Sequence, residues 1–299
     1  MSVTAPIGLP DRPWEAIGLR VLSGLLFAAM AVCVKLLSGV VPLGEIVFFR
    51  SFFALLPLVV FLWLRREFPG GLRTRRPLGH LLRSAFGAAA MFTSFASIAH
   101  LPVAEATLIA HLSPVLLALA GATFLSERLT RWRVGGLGLG LAGVLVLVGP
   151  ELSGGTDAER ITGYGFGLLT AILTALALTM VRALSATESP GAIAFYFVVA
   201  AMLGGLATLP FGWMVPQGGP LALLVLAGLF GGAAHIAMTL SFRMAEASRL
   251  APVEYMALIW PVLADGLIFG LSPSAGFALA LPLVLGGVAL AAMEGRRRR

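Results

Sequence analysis

The chain has 299 residues, of which 59% are hydrophobic and 12% charged, and its mean hydropathy is +0.96. This composition excludes an ordinary soluble domain and indicates a membrane protein. The formal net charge of +7 comes largely from arginines scattered between apolar segments, which excludes the folded basic face of a nucleic-acid-binding protein.

Ten apolar segments follow one another along the chain, each close to the roughly 20 residues that cross a membrane as a helix. The first five lie near residues 17–37, 44–64, 79–99, 105–125 and 132–149. The other five lie near residues 162–182, 191–211, 220–242, 250–270 and 276–293. We therefore predict an all-α polytopic membrane protein with ten transmembrane helices.

The chain also matches itself at an offset of 147 residues. Between Gly18 and Leu62, 13 of 45 positions are identical to their counterparts, where about 4 or 5 would be expected by chance. We predict two five-helix repeats, residues 1–149 and 150–299. Because each repeat crosses the membrane an odd number of times, the second is inverted relative to the first, as in many secondary transporters.

The distribution of positive charge predicts the orientation. With both termini in the cytoplasm, 18 of the 21 Lys and Arg residues fall on the cytoplasmic side, including Arg83, which is counted with the segment after helix 2. The exceptions are Lys35, Arg50 and Arg160. Since cytoplasmic segments are enriched in Lys and Arg, this favours an inner-membrane protein with both termini inside.

Membrane enzymes are the competing class. An aspartyl intramembrane protease needs two carboxylates at one site, but of Asp11, Asp157 and Asp265 only the last lies in a predicted helix. The sequence contains neither HExxH nor GxSxG, and no metal-ligand cluster. We predict that the protein is not an enzyme and needs no cofactor or metal.

Polar residues within apolar helices must be paired or face water, so they are the candidate substrate-binding residues. Arg50 is the candidate for binding an anionic group such as a carboxylate. Glu254 is the candidate for a cation partner or proton site. His111 and His235 are candidate proton relays, with helix-packing donors as the alternative. The remaining candidates are the aromatic and thioether residues Met91, Phe95, Tyr196, Tyr255 and Trp260.

Charged residues near the helix ends could form ion pairs that break and reform as gates. The gating candidates are Lys35, Glu45 and Glu105 toward the outside, and Arg182 and Glu246 toward the cytoplasm. For Lys35, Arg182 and Glu246 the alternative is a static ion pair or a side chain that reaches the headgroups.

Two further features concern the helix backbones. Pro114 and Pro261 occupy equivalent positions in predicted helices 4 and 9, and proline is expected to kink both. Gly136 and Gly140 form a pair of small residues in predicted helix 5 that permits close helix approach. The simplest interpretation is scaffolding, and a homodimer contact is also compatible.

Several stretches resemble the EamA-type transporters of the drug/metabolite transporter superfamily, and the resemblance covers nearly the whole chain. They are FFRS at 48–51, AEATLIAHLSPV at 104–115, FLSER at 124–128, ATESPGAIAFYF at 186–197 and LAPVEYMALIWPVL at 250–263. The last two look like the branch that includes carriers of S-adenosylmethionine and riboflavin. The resemblance implies a central cavity between the two repeats, lined mainly by helices other than 5 and 10.

These observations predict a secondary transporter that moves a small organic metabolite across the inner membrane by alternating access. The expected cargo is an amino acid or a derivative such as S-adenosylmethionine. Riboflavin or another aromatic metabolite is an alternative cargo, and a non-transporting membrane subunit or sensor is the alternative class. Proton-coupled export and facilitated diffusion are both compatible with the sequence.

Overall fold

A computed structural model of the chain describes residues 13–124, 131–153, 157–185, 187–244, 250 and 257–292. Regular secondary structure in these ranges is entirely helical. The first half of the chain contributes α1 (Pro13–Leu37), α2 (Leu43–Leu64), α3 (Pro77–His100), α4 (Val103–Ala110), α5 (Ser113–Phe124) and α6 (Arg131–Ser153). The second half contributes α7 (Ala158–Leu184), α8 (Pro190–Leu206), α9 (Gly218–Met244), α10 (Ile259–Ile268) and α11 (Ala275–Ala292).

Five described helices are long and apolar enough to cross a membrane by themselves. These spans are Trp14–Leu37, Leu43–Leu64, Pro77–His100, Ala158–Leu184 and Gly218–Phe242. Five shorter apolar helical stretches accompany them: Val103–Leu117, Val134–Pro150, Pro190–Leu206, Ile259–Ile268 and Ala275–Leu290. The chain is thus a multi-pass membrane protein whose helices carry large apolar side chains on their exposed faces.

The helix predicted at 105–125 is interrupted near its proline. A turn at His111 and Leu112 separates α4 from α5, and Pro114 is the second residue of α5. A turn at 257–258 similarly precedes α10, where Pro261 is the third residue. Proline has no N–H to donate and suits the first turn of a helix, so both prolines lie where a helical segment begins.

The helix predicted at 191–211 is also shorter than expected. It ends at Leu206 and is followed by a single 3₁₀ turn over Leu209–Phe211. Pro210 cannot donate a hydrogen bond within a continuing helix, and Gly212 adopts a left-handed conformation with φ of 89°. The backbone therefore leaves the helix before the end of the apolar run.

The packing pairs helices of one repeat with helices of the other. Helix α1 packs against α9, and α3 packs against α7. Helix α2 packs against α8 and α9, while α8 also packs against α3. Adding 147 to the bounds of α1 and α3 gives 160–184 and 224–247, close to those of α7 and α9. The contact of α1 with α9 thus corresponds to that of α7 with α3 under the 147-residue offset.

Helices α6 and α11 form a separate pair beside this bundle. A Cβ added to Gly287 would lie 2.6 Å from the carbonyl oxygen of Gly136 and 2.7 Å from the nitrogen of Gly140. The two glycines of predicted helix 5 are therefore covered by α11 of the same chain. This close approach needs the absence of side chains, which explains the small residues on both helices.

Candidate functional site

A buried arginine lies where α1, α2, α3 and α9 meet. Only 2% of Arg50 is exposed, and its guanidinium contacts thioether sulfurs. Its Nε and Nη2 lie 3.4 Å from Sδ of Met30, and its Nη1 lies 3.9 Å from Sδ of Met91. A Cβ on Gly231 would lie 2.7 Å from Nη2, so this glycine of α9 provides space for the guanidinium. Sulfur is a weak acceptor, so the charge of Arg50 is poorly compensated.

A second arginine, Arg83 of α3, enters the same region. The sequence analysis counted Arg83 with the cytoplasmic charges after helix 2; in the structure it lies in the second turn of α3, which begins at Pro77, and its guanidinium is buried. Its Cζ lies 4.6 Å from the ring centroid of Phe197. Its Nε and Nη1 are buried, and neither has a hydrogen-bond partner among the residues that the structure describes. A Cβ on Gly87 would collide with Nη1, so Gly87 makes room for this guanidinium.

His235 of α9 lies close to both arginines: its ring contacts Phe197, which packs on Arg83, and it is one helical turn from Gly231, which faces Arg50. The ring is held by edge-to-face contacts, with centroid distances of 5.0 Å to Phe27 and 6.4 Å to Phe197. We name this group of residues the central site: Met30, Arg50, Arg83, Met91, Phe197 and His235. Among the residues that the structure describes, neither arginine of the central site has a carboxylate within ion-pair distance.

A cleft connects the central site to one end of the bundle. It contains about 450 Å³ of space between protein atoms, part of it open to solvent. Its walls are the last turns of α2, the first turns of α8 and the second half of α9, with His235 at its inner limit. Arg65 and Glu67 form an ion pair at its mouth, with 3.1 Å between Nε and Oε1. We call this the Glu188 end, after a carboxylate described below.

The opposite end is held together by Asp265, and we call it the Asp265 end. This α10 carboxylate accepts hydrogen bonds from the backbone N–H groups of Val103 at 3.0 Å and Ala104 at 2.8 Å. It therefore caps the N-terminus of α4, where a negative charge is favoured by the helix dipole. Nζ of Lys35 donates to the carbonyl oxygens of Ala99 at 3.2 Å and Leu101 at 2.9 Å. These contacts join α1 and α10 to the junction between α3 and α4.

Glu105 forms a second network at the Asp265 end. Its carboxylate lies 3.0 Å from Nη2 of Arg160, and accepts from the hydroxyl of Tyr164 at 2.8 Å and from that of Ser274 at 3.1 Å. The side chain of Glu105 is 4% exposed and that of Arg160 is 26% exposed. The pairing joins α4 to α7 and to the residue before α11.

Glu45 lies near the same end, where among the described residues it is held by a backbone group rather than by an ion pair. Its Oε2 accepts from the backbone N–H of Met214 at 3.1 Å, while Oε1 is buried without a partner in the described part of the chain. Trp213 packs beside it on Phe48 and Phe49. The segment after α8 is thereby attached to the start of α2.

Glu188 joins the loops at the other end. Its Oε2 lies 3.2 Å from Nε2 of His80, and its Oε1 accepts from the backbone N–H of Arg75 at 3.0 Å. Burial alone would raise the pKa of Glu188, but the hydrogen bonds from His80, Arg75 and Thr74 lower it below its ordinary value. Tyr196, a predicted substrate contact, lies at the same end, and its hydroxyl donates a hydrogen bond to the carbonyl oxygen of Leu72 at 2.8 Å.

The structure separates the predicted site residues into groups. Arg50, Met91 and His235 come together in the central site, and Phe95 is buried in the core with 3% exposure. Nδ1 of His111 lies 2.8 Å from the carbonyl oxygen of Thr107, at the break after α4. Trp260 packs against Gly24 of α1, and Arg182 lies in the last turn of α7. Glu246, Glu254 and Tyr255 lie outside the described residues.

The sequence-based reasoning missed Arg83, Asp265 as a cap, and the partners of Glu105. One signal for Arg83 was available: it lies inside the segment predicted as a helix at 79–99, one turn before Gly87. The partners of Glu105 gave no such signal, because Arg160 and Ser274 are 55 and 169 residues away in sequence.

The fold and the central site define a multi-pass membrane protein with a cationic site inside its helix bundle. Residues 14–149 match the model of the EamA-like transporter family. The chain is 31% identical over 246 residues to the pseudopaline exporter CntI of Pseudomonas aeruginosa, covering 81% of this chain and 83% of that protein. It is 29% identical over 303 aligned positions to the riboflavin transporter of Rhizobium johnstonii, covering 100% of this chain and 97% of that protein.

The chain is also 26% identical over 263 residues to an S-adenosylmethionine uptake transporter of Rickettsia felis. This match covers 86% of this chain and 85% of that protein. A solved crystal structure superposes with a TM-score of 0.67 at 25% identity, covering 96% of this chain and 100% of that chain. The chain belongs to the EamA-like transporter family of the drug/metabolite transporter superfamily. The resemblance noted from the sequence motifs is thus confirmed, and these relatives are transporters of small molecules.

Proposed function

We propose that the chain is a secondary transporter that moves a small organic metabolite across the inner membrane by alternating access. The proposed cargo is an amino acid or a derivative such as S-adenosylmethionine. The observation that carries this proposal is Arg50, a buried guanidinium inside the bundle whose hydrogen-bond acceptors are two methionine sulfurs. A buried charge without a counter-ion is costly, and no carboxylate in the described part of the chain pairs with Arg50, so an anionic group of the cargo would supply that counter-ion.

The proposed architecture is ten crossings in two inverted five-helix repeats, 1–149 and 150–299. Two observations support it. The bounds of α1 and α3 recur 147 residues later in α7 and α9, and α1 packs on α9 as α7 packs on α3. Such an exchange is what a two-fold axis between the repeats would produce. The arginine distribution supports cytoplasmic positions for both termini.

Alternating access needs two ends that close in turn around the central site. The contacts of Asp265, Lys35 and Glu105 link several helices at one end, while the cleft reaches His235 from the other. We propose that these contacts form the outer gate and that Arg65 and Glu67 belong to the inner one. In this state the central site faces the cytoplasm.

Roles for the other candidates follow from their positions. Arg50, Met91 and His235 would contact the cargo, and Glu254 would serve as the proton site or as the partner of a cationic group. Proton coupling therefore depends on Glu254. Phe95, His111, Tyr196, Tyr255 and Trp260 stay predictions as substrate contacts, and Arg182 and Glu246 as gating residues. A homodimer would use a surface other than Gly136 and Gly140, because α11 covers them.

The test is uptake by the purified protein in liposomes. Labelled amino acids, S-adenosylmethionine and riboflavin are compared with and without an imposed pH gradient. Arg50→Gln should abolish uptake, Arg50→Lys should retain part of it, and Arg73→Gln, in an exposed loop, is the matched control. Glu254→Gln should remove any acceleration by the pH gradient.

Uptake of one class of cargo that Arg50→Gln loses and Arg73→Gln keeps would support the proposal. Uptake of riboflavin alone would favour the aromatic-metabolite alternative. If correctly folded protein moves nothing, the proposal of transport fails and the non-transporting subunit or sensor is the better account. Equal uptake by Arg50→Gln and the wild-type protein would overturn the role of Arg50 in cargo binding.

A further inference from the structure

The central site contains two positive charges rather than one. Arg50 donates only to sulfur, and two nitrogens of Arg83 are buried without a partner. No carboxylate among the described residues pairs with either guanidinium. The contact of Arg83 with the Phe197 ring is favourable but brings no negative charge. The site therefore has an excess of cationic charge in a largely apolar environment.

The spacing of the two guanidinium groups follows from α3. Nη1 of Arg83 lies over Gly87, and Nη1 of Arg50 lies beside the sulfur of Met91. Gly87 and Met91 are four residues apart on one helix, a rise of about 6 Å. The two positions of α3 that the guanidinium groups approach are thus about one helical turn apart. That is a separation that the two ends of one small molecule can span.

Both groups are given space by glycine. A Cβ on Gly87 would meet Arg83, and a Cβ on Gly231 would meet Arg50. His235 lies near both, since it contacts the Phe197 ring on which Arg83 packs and is one turn along α9 from Gly231. It lines the cleft that opens at the Glu188 end, so a molecule entering this cleft would approach the pair of arginines.

From this geometry we propose that the transported molecule carries at least two negative groups, one for Arg50 and one for Arg83. Arg83 is then a specificity-determining residue that distinguishes dianionic from monoanionic cargo. Carboxylates are suited to this role because guanidinium binds them with paired, charge-assisted hydrogen bonds. The inference rests on the proposed transport function and narrows its cargo to a molecule with two negative groups, such as an acidic amino acid. It excludes S-adenosylmethionine, because a cation or a simple zwitterion with one carboxylate would leave one guanidinium without a counter-ion.

The test measures binding by thermal shift with the full-length protein in detergent. The probes are succinate, glutarate, adipate and suberate, each compared with its monoamide, which keeps the length but has one negative charge. The variants are Arg83→Gln, Arg83→Lys and the exposed-loop control Arg73→Gln. In the wild-type protein we expect the best dicarboxylate to bind about tenfold or more tightly than its monoamide, the factor for one added charge-assisted interaction.

Arg83→Gln should reduce this ratio to near one while monoamide binding remains, because Arg50 is intact. Arg83→Lys should restore part of the ratio, and Arg73→Gln should leave it unchanged. A purely structural Arg83 would change stability without changing the ratio. A ratio near one for every chain length in the wild-type protein, or a ratio unchanged by Arg83→Gln, overturns the inference. If Arg83→Gln does not fold, the binding ratio of the wild-type protein and that of Arg83→Lys still test the inference.

The liposome assay distinguishes failure of this inference from failure of the proposed function. Cargo uptake that depends on Arg50 while the binding ratio is near one would overturn only the dianionic cargo. A clear preference for dicarboxylates without uptake of any of them would support the paired arginine site and contradict transport.

Discussion

Replacing Asp265 by asparagine should loosen the Asp265 end of the bundle without changing side-chain volume. The carboxylate accepts hydrogen bonds from Val103 at 3.0 Å and from Ala104 at 2.8 Å, and Asp265 is only 4% exposed. An asparagine has one carbonyl oxygen and one amino group. It can therefore accept from one of the two N–H groups, and its amino group would face the other.

The expected size of the effect follows from these contacts. Losing one hydrogen bond to a charged acceptor costs about 1.5–3 kcal/mol, similar to the upper range for loss of a helix N-cap. If the contact is formed only when this end is closed, the same free energy shifts the equilibrium toward the open state. A shift of that size corresponds to roughly ten- to hundredfold in the open-to-closed ratio.

The assay measures access to Ala104, which is 5% exposed, in a protein whose single native cysteine is removed. Ala104→Cys in a Cys33→Ala background is labelled with a membrane-impermeant maleimide from the side of the Asp265 end. Asp265→Asn should raise the labelling rate about tenfold or more. The matched control is Asp157→Asn, since Asp157 caps α7 by accepting from residues of its own helix. Equal labelling rates in the two variants would refute the reasoning.

Two further predictions concern stability. Gly287→Ala should lower the free energy of unfolding by about 1–3 kcal/mol in a thermal unfolding assay, because the new Cβ would meet the backbone of Gly136. The control Gly165→Ala, which has open space around it, should be neutral or stabilising. Glu188 has a lowered pKa, so its stabilising effect should be complete above the ordinary carboxyl pKa of 4.5 and be lost as the pH falls through the lowered value. Thermal unfolding of wild type and Glu188→Gln should therefore differ most near neutral pH and converge in acid, and a difference that persists at low pH would contradict this role.

The membrane helices could be predicted from the sequence because apolar length and internal repetition are local properties. The exact helix ends could not, as the break before Pro114 shows: proline predicts a disturbance but not whether the helix bends or restarts. Arg50 could be singled out because its neighbours in sequence are apolar.

Arg83 was misjudged because counting charges by loop assigns a side chain to the nearest segment and ignores where it points. Its position over Phe197 depends on the packing of α3 against α8, which a single sequence does not specify. The same holds for Asp265, whose partners Val103 and Ala104 are backbone groups about 160 residues away. Every residue except proline has a backbone N–H group, so the identity of a residue does not show whether that group binds a carboxylate. The cap therefore could not be predicted.

Access to the central site from both sides of the membrane tests the central claim most directly. Met91 is 8% exposed and contacts Arg50, so Met91→Cys in the Cys33→Ala background reports on this site. The protein in sealed vesicles is labelled with an impermeant maleimide from one side and then from the other. Alternating access predicts labelling from both sides, with opposite changes in the two rates when Asp265→Asn opens one end. Labelling from one side only, unchanged by Asp265→Asn, would contradict the account.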